Sequence, residues 1–317
     1  MSLIDRSSEP TQPSRPEEPA DQAHTADGGS FSAKPESPRQ RFFRRFRRER
    51  VAMVMLGLLA IIAFCSVFAN LLTNIDPNVQ ELRDRLQGPS GANWFGTDDL
   101  GRDVFTRTLF AGRVSLLAAI QATAIGVGIG VPIGLMAGYL RGWVDVVASR
   151  VADAIMSIPA LLLALAIVGV LEPNLTSAMI AIGIVYAPQF FRLTRASTMA
   201  VREETFIEAA RSAGGTSRSI ITGHILPNAL SPLVVQISLA MGFAILFEAS
   251  ISFLGLGVQA PDSSWGSMLG RSTKFFEQAP HLVIIPGAMI LVTVLAFNVI
   301  GDGIRDSLGR EIRRPSQ

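Results

Sequence analysis

Six stretches of this chain are long, apolar and nearly free of charge, and they constrain its fold more than any other feature. The stretches are residues 51–75, 114–144, 154–171, 173–191, 225–247 and 282–301. A helix needs about 20 apolar residues to cross the hydrocarbon core of a bilayer. Charged residues make up 17% of the chain, against about 25% in soluble domains. The sequence therefore predicts an all-α integral membrane protein with six transmembrane helices, the fourth trimmed by Pro173 and Pro188.

The positions of lysine and arginine predict how the chain is oriented. Cytoplasmic loops of membrane proteins carry an excess of these two residues. If the amino terminus is cytoplasmic, 21 of the 28 lysines and arginines fall on the cytoplasmic side. Both termini are therefore expected in the cytoplasm.

The same pattern divides the chain into five segments. Residues 1–38 contain six prolines, seven serines and almost no aliphatic residues, a composition typical of a disordered tail, here cytoplasmic. The other predicted segments are a basic anchor with the first transmembrane helix (39–72), an extracytoplasmic segment (73–113), a five-helix core (114–306) that contains a cytoplasmic loop (202–227), and a cytoplasmic tail (307–317).

The basic anchor interleaves seven arginines with three phenylalanines between Arg39 and Arg50. Such a run could bind nucleic acid. Directly ahead of an apolar helix, however, it is more typical of an anchor that meets anionic lipid headgroups. The predicted partner of this segment is membrane lipid and not nucleic acid.

Few residues are available for catalysis or for binding a cofactor. A nucleotide-binding P-loop needs lysine followed by serine or threonine, and neither Lys34 nor Lys274 is followed by one. Cys65 is the single cysteine and the three histidines are far apart, so neither an internal disulfide nor a metal site of recognisable spacing is expected. The chain is predicted to be non-catalytic and to bind no cofactor or metal, and any ATP would bind to a partner.

Glycines recur at every second position from Gly126 to Gly130 and again at Gly134. A phosphate-binding loop can look similar, but these glycines lie inside an apolar stretch and no basic residue follows them. They predict close packing between membrane helices.

The polar loop between the fourth and fifth stretches is the most informative segment. Residues 202–213 are rich in helix formers, with acids in the early turns, and Gly214-Gly215 supplies the positive-φ turn that ends a helix. Thr216 or Ser217 can cap a second short helix, which Pro227 is expected to close. A plain connector would need only solubility, whereas the alanines and glycines of this helix–turn–helix leave a small surface that suits docking against another protein.

This loop resembles that of binding-protein-dependent ABC import permeases. The resemblance rests on Glu208-Ala209-Ala210, on Gly214 and on Leu226-Pro227, with His224 where the family usually has isoleucine. Four more segments resemble the peptide/nickel branch of the family, and above all the second, C-type permease of dipeptide and oligopeptide importers. They are Trp94–Phe105, Ser252–Val258, Ser264–Gly266 and Gly301–Asp306.

The resemblance implies a type I ABC importer transmembrane domain in a bacterial inner membrane, forming the path for di- or oligopeptides. The implied partners are a second homologous permease, cytoplasmic ABC ATPases that bind ATP and Mg²⁺, and an extracytoplasmic solute-binding protein. The residues implied to couple the permease to the ATPases are Glu208, Ala209, Ala210, Gly214, Leu226 and Pro227.

The sequence leaves one alternative cargo and two other classes of protein to consider. Nickel or another small solute stays open as the cargo. An ion-coupled secondary carrier usually has inverted repeats and paired carboxylates near the membrane midplane, whereas this sequence offers one candidate, Glu248. An intramembrane enzyme would need a nucleophile–base or metal pair within the spans, and no histidine lies in mid-span beside a plausible partner.

Three groups of charged residues lie in or near the predicted spans. Glu248 is expected either to line the transport pathway or, the reading we favour, to be a structural carboxylate near the outer interface. Arg150 and Asp153 are spaced to form an ion pair on one helix. The acids and the arginine of 98–103 are expected to form a structured loop near a partner protein, since they lack the pattern of a calcium site.

Overall fold

A computed structural model describes residues 38–309, and these residues are mostly α-helical. The predicted amino-terminal tail lies outside the described residues except for Pro38, which begins the first helix. The predicted carboxy-terminal tail also lies outside them beyond residue 309, and residues 307–309 belong to the last helix.

The described helices follow one another with short connections, apart from a longer irregular segment between the third and the fourth. The α-helices are α1 (Pro38–Phe46), α2 (Arg50–Val67), α3 (Ala69–Leu72), α4 (Val104–Leu140), α5 (Gly142–Met156), α6 (Ala160–Leu171), α7 (Leu175–Arg202), α8 (Thr205–Ser212), α9 (Ser217–Ile220), α10 (Leu226–Phe253), α11 (Trp265–Ser272) and α12 (His281–Gly309). Single turns of 3₁₀-helix cover Leu82–Asp84 and Thr273–Phe275, and a π-helical turn covers Ile221–Ile225.

Five runs of helix within the described residues are long and apolar enough to cross a membrane. They are Arg50–Val67, Val104–Leu140, Leu175–Arg202, Ser217–Phe253 and His281–Leu308. A sixth span is present only if α5 and α6, which meet at 92°, are taken together. The predicted span over 154–171 is not one continuous helix: the chain breaks at Ser157–Pro159, and the 12 residues of α6 reach only about 18 Å.

Two spans extend well beyond the predicted apolar stretches. Helix α4 begins at Val104 because the side chain of Asp103 accepts a hydrogen bond from the backbone N–H of Thr106 at 2.7 Å, which caps the helix among polar residues. Helix α7 continues through Pro188 to Arg202. Proline is tolerated inside membrane helices when neighbouring groups satisfy the freed backbone, so Pro188 does not trim the span.

Helices α4 and α7 pack with their backbones in close contact. A Cβ atom added at Gly130 would lie 2.4 Å from the carbonyl oxygen of Ala187, and one at Gly134 would lie 2.7 Å from that of Phe191. Only glycine fits at these positions. The predicted packing role is thus confirmed for Gly130 and Gly134, whereas an added Cβ at Gly128 would meet nothing within 4 Å. The same helices, with α10 and α12, contribute most of the buried apolar core.

Candidate functional site

The predicted turn between two short helices is present in the polar loop. Helix α8 ends at Ser212, and Gly214 follows with φ +81°. The backbone N–H of Gly214 donates to the carbonyl oxygen of Arg211 at 2.9 Å, and that of Gly215 donates to Ala210 at 3.0 Å. This pair of bonds is a Schellman motif, which satisfies carbonyl groups that a helix end would otherwise leave unpaired.

The second helix of the loop runs directly into a membrane span. The hydroxyl of Thr216 caps α9 by accepting from the backbone N–H of Ser219 at 3.3 Å. The chain then passes through the π-helical turn into α10, where Pro227 occupies the first turn. The prediction that Pro227 closes this helix is wrong. The backbone N–H of Leu226 bonds to Ile221, five residues back, and the wider π turn accommodates a residue without an N–H.

Three isoleucines pack this helix–turn–helix against the carboxy-terminal end of α4. Ile207, Ile220 and Ile225 are at most 1% exposed, and they form one apolar cluster with Leu135 and Tyr139 of α4. Burying a side chain of this size stabilises a structure by roughly 1.5–3 kcal/mol. The loop is therefore attached to the membrane helices as a packed unit.

Charged groups reinforce this attachment around the ring of Tyr139. The guanidinium carbons of Arg202 and Arg211 lie 5.7 and 5.3 Å from the ring centroid, within the range of cation–π attraction. On the same end of α4, Arg141 forms an ion pair with Glu203.

The predicted coupling residues divide between the exposed face of the loop and its packed base. Those on the exposed face are Glu208, Ala209, Gly214 and Pro227. Ala210 and Leu226 are half-buried and pack against the isoleucine cluster, so they help to hold the loop against α4. The two groups together place a carboxylate and a small methyl group on the outside of a rigid turn.

Sequence reasoning missed one further residue on the exposed face. Phe206 is 42% exposed, and its ring stacks on that of His224 at 6.5 Å between centroids. The sequence does carry a signal for it: Phe206 and Ile207 are adjacent on a short helix, so only one of them can point into the cluster. An exposed aromatic ring of this kind is typical of a contact residue at a protein interface.

Glu248 lies in a second polar cluster, within the core. Its side chain is 1% exposed, and it accepts hydrogen bonds from the hydroxyls of Ser115 at 3.2 Å and Ser252 at 2.7 Å. The Ser115 hydroxyl oxygen in turn accepts from the backbone N–H of Trp265 at 3.2 Å. The carboxyl group thus links α4, α10 and α11, as a structural carboxylate would.

The acidic segment before α4 forms a structured loop, as expected. One carboxylate oxygen of Asp98 accepts from the backbone N–H groups of Leu100 at 2.9 Å and Arg102 at 3.0 Å. The other accepts from Nε of Arg102 at 2.7 Å. Over residues 38–309, no group of three or more His, Cys, Asp or Glu side chains is arranged to hold a metal ion.

Ion pairs join α5 to α7. Oδ1 of Asp153 lies 2.5 Å from Nη2 of Arg192, and Asp145 forms a second pair with Arg195. Asp153 therefore pairs across two helices. The pair with Arg150 that the sequence spacing predicts is not the one that forms.

Comparison with known proteins identifies the family. Residues 130–314 match the binding-protein-dependent transport system inner membrane component family, and residues 37–89 match the N-terminal transmembrane domain of oligopeptide transport permease C. The dipeptide transport system permease protein DppC of Alkalihalophilus pseudofirmus is 44% identical over 248 residues, 78% of this chain and 82% of that protein. The glutathione transport system permease protein GsiD of Shigella flexneri is 44% identical over 249 residues, with the same coverage of 78% and 82%.

The fold is that of an ABC transporter subunit. A chain of the MetNI methionine ABC transporter, in an inward-facing conformation, aligns with a TM-score of 0.50 and 20% identity over 63% of this chain and 94% of its own length. The all-helical membrane fold and the transport role predicted from the sequence are both confirmed by these relationships. The chain is a multi-pass inner-membrane protein that belongs to the binding-protein-dependent transport system inner membrane component family.

Proposed function

We propose that this chain is the permease subunit of an ATP-driven importer of dipeptides and oligopeptides. The family implies that ATPase subunits and a binding protein act with it. The observation that carries the proposal is the helix–turn–helix of α8 and α9, which is packed onto α4 by three buried isoleucines and exposes Phe206, Glu208 and Ala209.

The exposed face docks into a groove on a cytoplasmic ATPase. Glu208 offers its carboxylate to a basic group of the ATPase, the small side chain of Ala209 permits close approach, and Phe206 supplies apolar contact. Because the loop is packed on α4 and continuous with α10, a movement of the ATPases on closing around ATP is transmitted to both helices. ATP and Mg²⁺ bind to the ATPases and not to this chain.

The remaining topology follows from this assignment. The loop faces the cytoplasm, so both termini are cytoplasmic, and α5 with α6 forms the broken third of six spans in a type I importer domain. A second, homologous permease completes the path. Glu248 holds α4, α10 and α11 together and does not contact the solute.

The peptide assignment is supported by the relatives whose names refer to dipeptide and glutathione transport. Nickel or another small solute is the alternative cargo. The test is uptake of labelled dipeptide, pentapeptide, nickel and a sugar by cells that lack the chain and by cells in which it is restored. We expect peptide uptake to depend on the chain. Uptake of nickel or sugar alone would overturn the peptide assignment and keep the ATP-driven mechanism.

A further inference from the structure

Two glutamine side chains meet near the middle of two membrane spans. Nε2 of Gln236 on α10 donates to Oε1 of Gln189 on α7 at 3.4 Å. Gln189 is exposed and Gln236 is half-buried in the described chain. Polar groups at this depth are costly to expose to hydrocarbon. This face of α7 and α10 is therefore unlike a lipid-facing surface.

The break between α5 and α6 lies beside the same glutamine. A cavity of about 550 Å³ is lined by Ser157, Ile158 and Pro159 of the break and by Tyr186, Gln189 and Phe247. Non-helical backbone at membrane depth is tolerated where it is covered by protein or borders water, and not against lipid. The break and the amide pair thus point independently to the same conclusion about this face.

Charged residues continue this polar face toward the end of α7 that carries the helix–turn–helix. The pair of Asp153 with Arg192 lies next along the groove between α5 and α7, followed by the pair of Asp145 with Arg195. These residues and Arg150 line a second cavity of about 550 Å³. Ion pairs within membrane helices border protein or a water-filled cavity.

Helix α5 separates this polar groove from an apolar surface. Asp145, Ser149 and Asp153 share one face at intervals of four residues, and Ser149 donates to Asp145 at 3.3 Å. The opposite face carries Trp143 and Val147, which are 77% and 53% exposed. This amphipathic arrangement directs the apolar face to lipid and the charged face to the interior of the transporter.

We propose that the groove between α5, α7 and α10 is one wall of the aqueous translocation route, and that Gln189 and Gln236 bind the amide groups of the solute as it passes. This inference rests on the proposed function for the identity of the solute. Each glutamine carboxamide has one acceptor and two donors, which match the C=O and N–H of a peptide bond. The half-buried ring of Phe247, which packs against the buried ring of Tyr186 at 5.7 Å between centroids, offers apolar surface to side chains of varied shape. The site therefore binds the peptide backbone and has no specificity for the side chains of the peptide.

Thiol accessibility in the complete transporter tests this wall. Cys65, the single cysteine, is replaced by serine, and Gln189→Cys, Gln236→Cys or Val234→Cys is introduced. Val234 is 43% exposed and lies two residues from Gln236, which places it about 200° around α10 from Gln236, so it is an exposed apolar control on the opposite face of the same helix. Labelling of this chain by a membrane-impermeant methanethiosulfonate reagent is followed on gels, with and without saturating dipeptide, in vesicles open to the reagent from either side.

We expect both glutamine positions to label at least about tenfold faster than the Val234 position, because only a thiol in water ionises to the reactive thiolate. Dipeptide should slow labelling at the glutamine positions and leave the Val234 position unchanged. If the glutamine positions label no faster than the Val234 position in a transporter that still imports dipeptide, lipid or the second permease covers this face. That result would contradict the proposal that the groove borders the aqueous route. Fast labelling that dipeptide does not slow would contradict the proposal that these two positions contact the amide groups of the solute. Fast labelling at both glutamine positions, together with a wild-type transporter that imports no peptide, would support the wall and contradict only the proposed cargo.

Discussion

The backbone N–H of Gly215 donates to the carbonyl oxygen of Ala210 across 3.0 Å, and this bond reverses the chain at the end of α8. Ala210 packs against the cluster of isoleucines beneath the loop. The bond that ends the helix therefore also fixes how Glu208 and Ala209 project from the protein. Their position is set by packing and backbone geometry together.

Substitution at Gly214 should weaken coupling through the backbone alone. Its φ is +81°, and no heavy atom lies within 4 Å of an added Cβ. The Cβ of Gly214→Val therefore has room, and the substitution costs about 1–2 kcal/mol because the residue must stay in the left-handed region. Gly214→Asn should be milder, because asparagine tolerates that region. ATP-driven dipeptide uptake should fall in the order glycine, asparagine, valine. Gly223→Ala, also free of neighbours within 4 Å, is the control, and equal uptake by Gly214→Val and Gly223→Ala would contradict the account.

Two adjacent residues of α8 should give opposite phenotypes. Ile207 is fully buried, so Ile207→Ala should lower the stability of the loop by roughly 2–5 kcal/mol and increase proteolysis between α7 and α10. Phe206 is 42% exposed, so Phe206→Ala should leave proteolysis unchanged and weaken retention of the ATPases during purification. If both variants retain the ATPases as well as the wild type does, the ATPases do not dock at this face.

Replacement of Glu248 should separate its hydrogen bonds from its charge. Glu248→Leu leaves the buried hydroxyls of Ser115 and Ser252 without an acceptor, at a cost of about 1–3 kcal/mol, and should lower the unfolding temperature of the detergent-solubilised transporter. Glu248→Gln keeps a carbonyl acceptor and should lose less stability. If Glu248→Gln folds as well as the wild type but abolishes uptake, the residue is a pathway group and our structural assignment is wrong.

The loop before α4 should depend on Asp98 more than on Asp99. Asp98 accepts three hydrogen bonds, two of them from Arg102, and Arg102 is 5% exposed. Asp98→Asn should therefore destabilise the fold by about 1–3 kcal/mol. Asp99 lies 3.8 Å from the same guanidinium group, and Asp99→Asn should cost little. Thermal unfolding of the two variants side by side checks this ranking, and a larger loss for Asp99→Asn would contradict it.

The long helices could be predicted because their signal is local. About 20 apolar residues in one window indicate a span, which holds for α2, α10 and α12. Helix ends depend on single groups, such as the carboxylate of Asp103 that starts α4, and these are easily missed. The right-angled break at Ser157–Pro159 lies inside an apolar stretch, so composition alone does not reveal it.

The turn between α8 and α9 could be predicted from the sequence, whereas the packing of this helix–turn–helix against α4 could not. Glycine at the end of a helix has a local conformational meaning, whereas the contact of Ile207 with Leu135 and Tyr139 depends on how distant segments pack. The bond between Ser115 and Glu248 likewise joins residues 133 positions apart. The prediction for Pro227 is wrong because proline often follows the end of a helix, although it is also common in the first turn of one.

The most direct test of the central claim is ATP-driven uptake of a labelled dipeptide by the complete transporter in proteoliposomes, with Glu208→Lys compared with the wild type. Glu172→Lys, an equal charge reversal at an exposed residue between α6 and α7, is the control. We predict uptake that requires ATP, is lost in Glu208→Lys and is retained in Glu172→Lys. Uptake that is unchanged in Glu208→Lys would contradict coupling through this loop. Uptake that does not require ATP and is lost when the proton gradient is dissipated would contradict it as well.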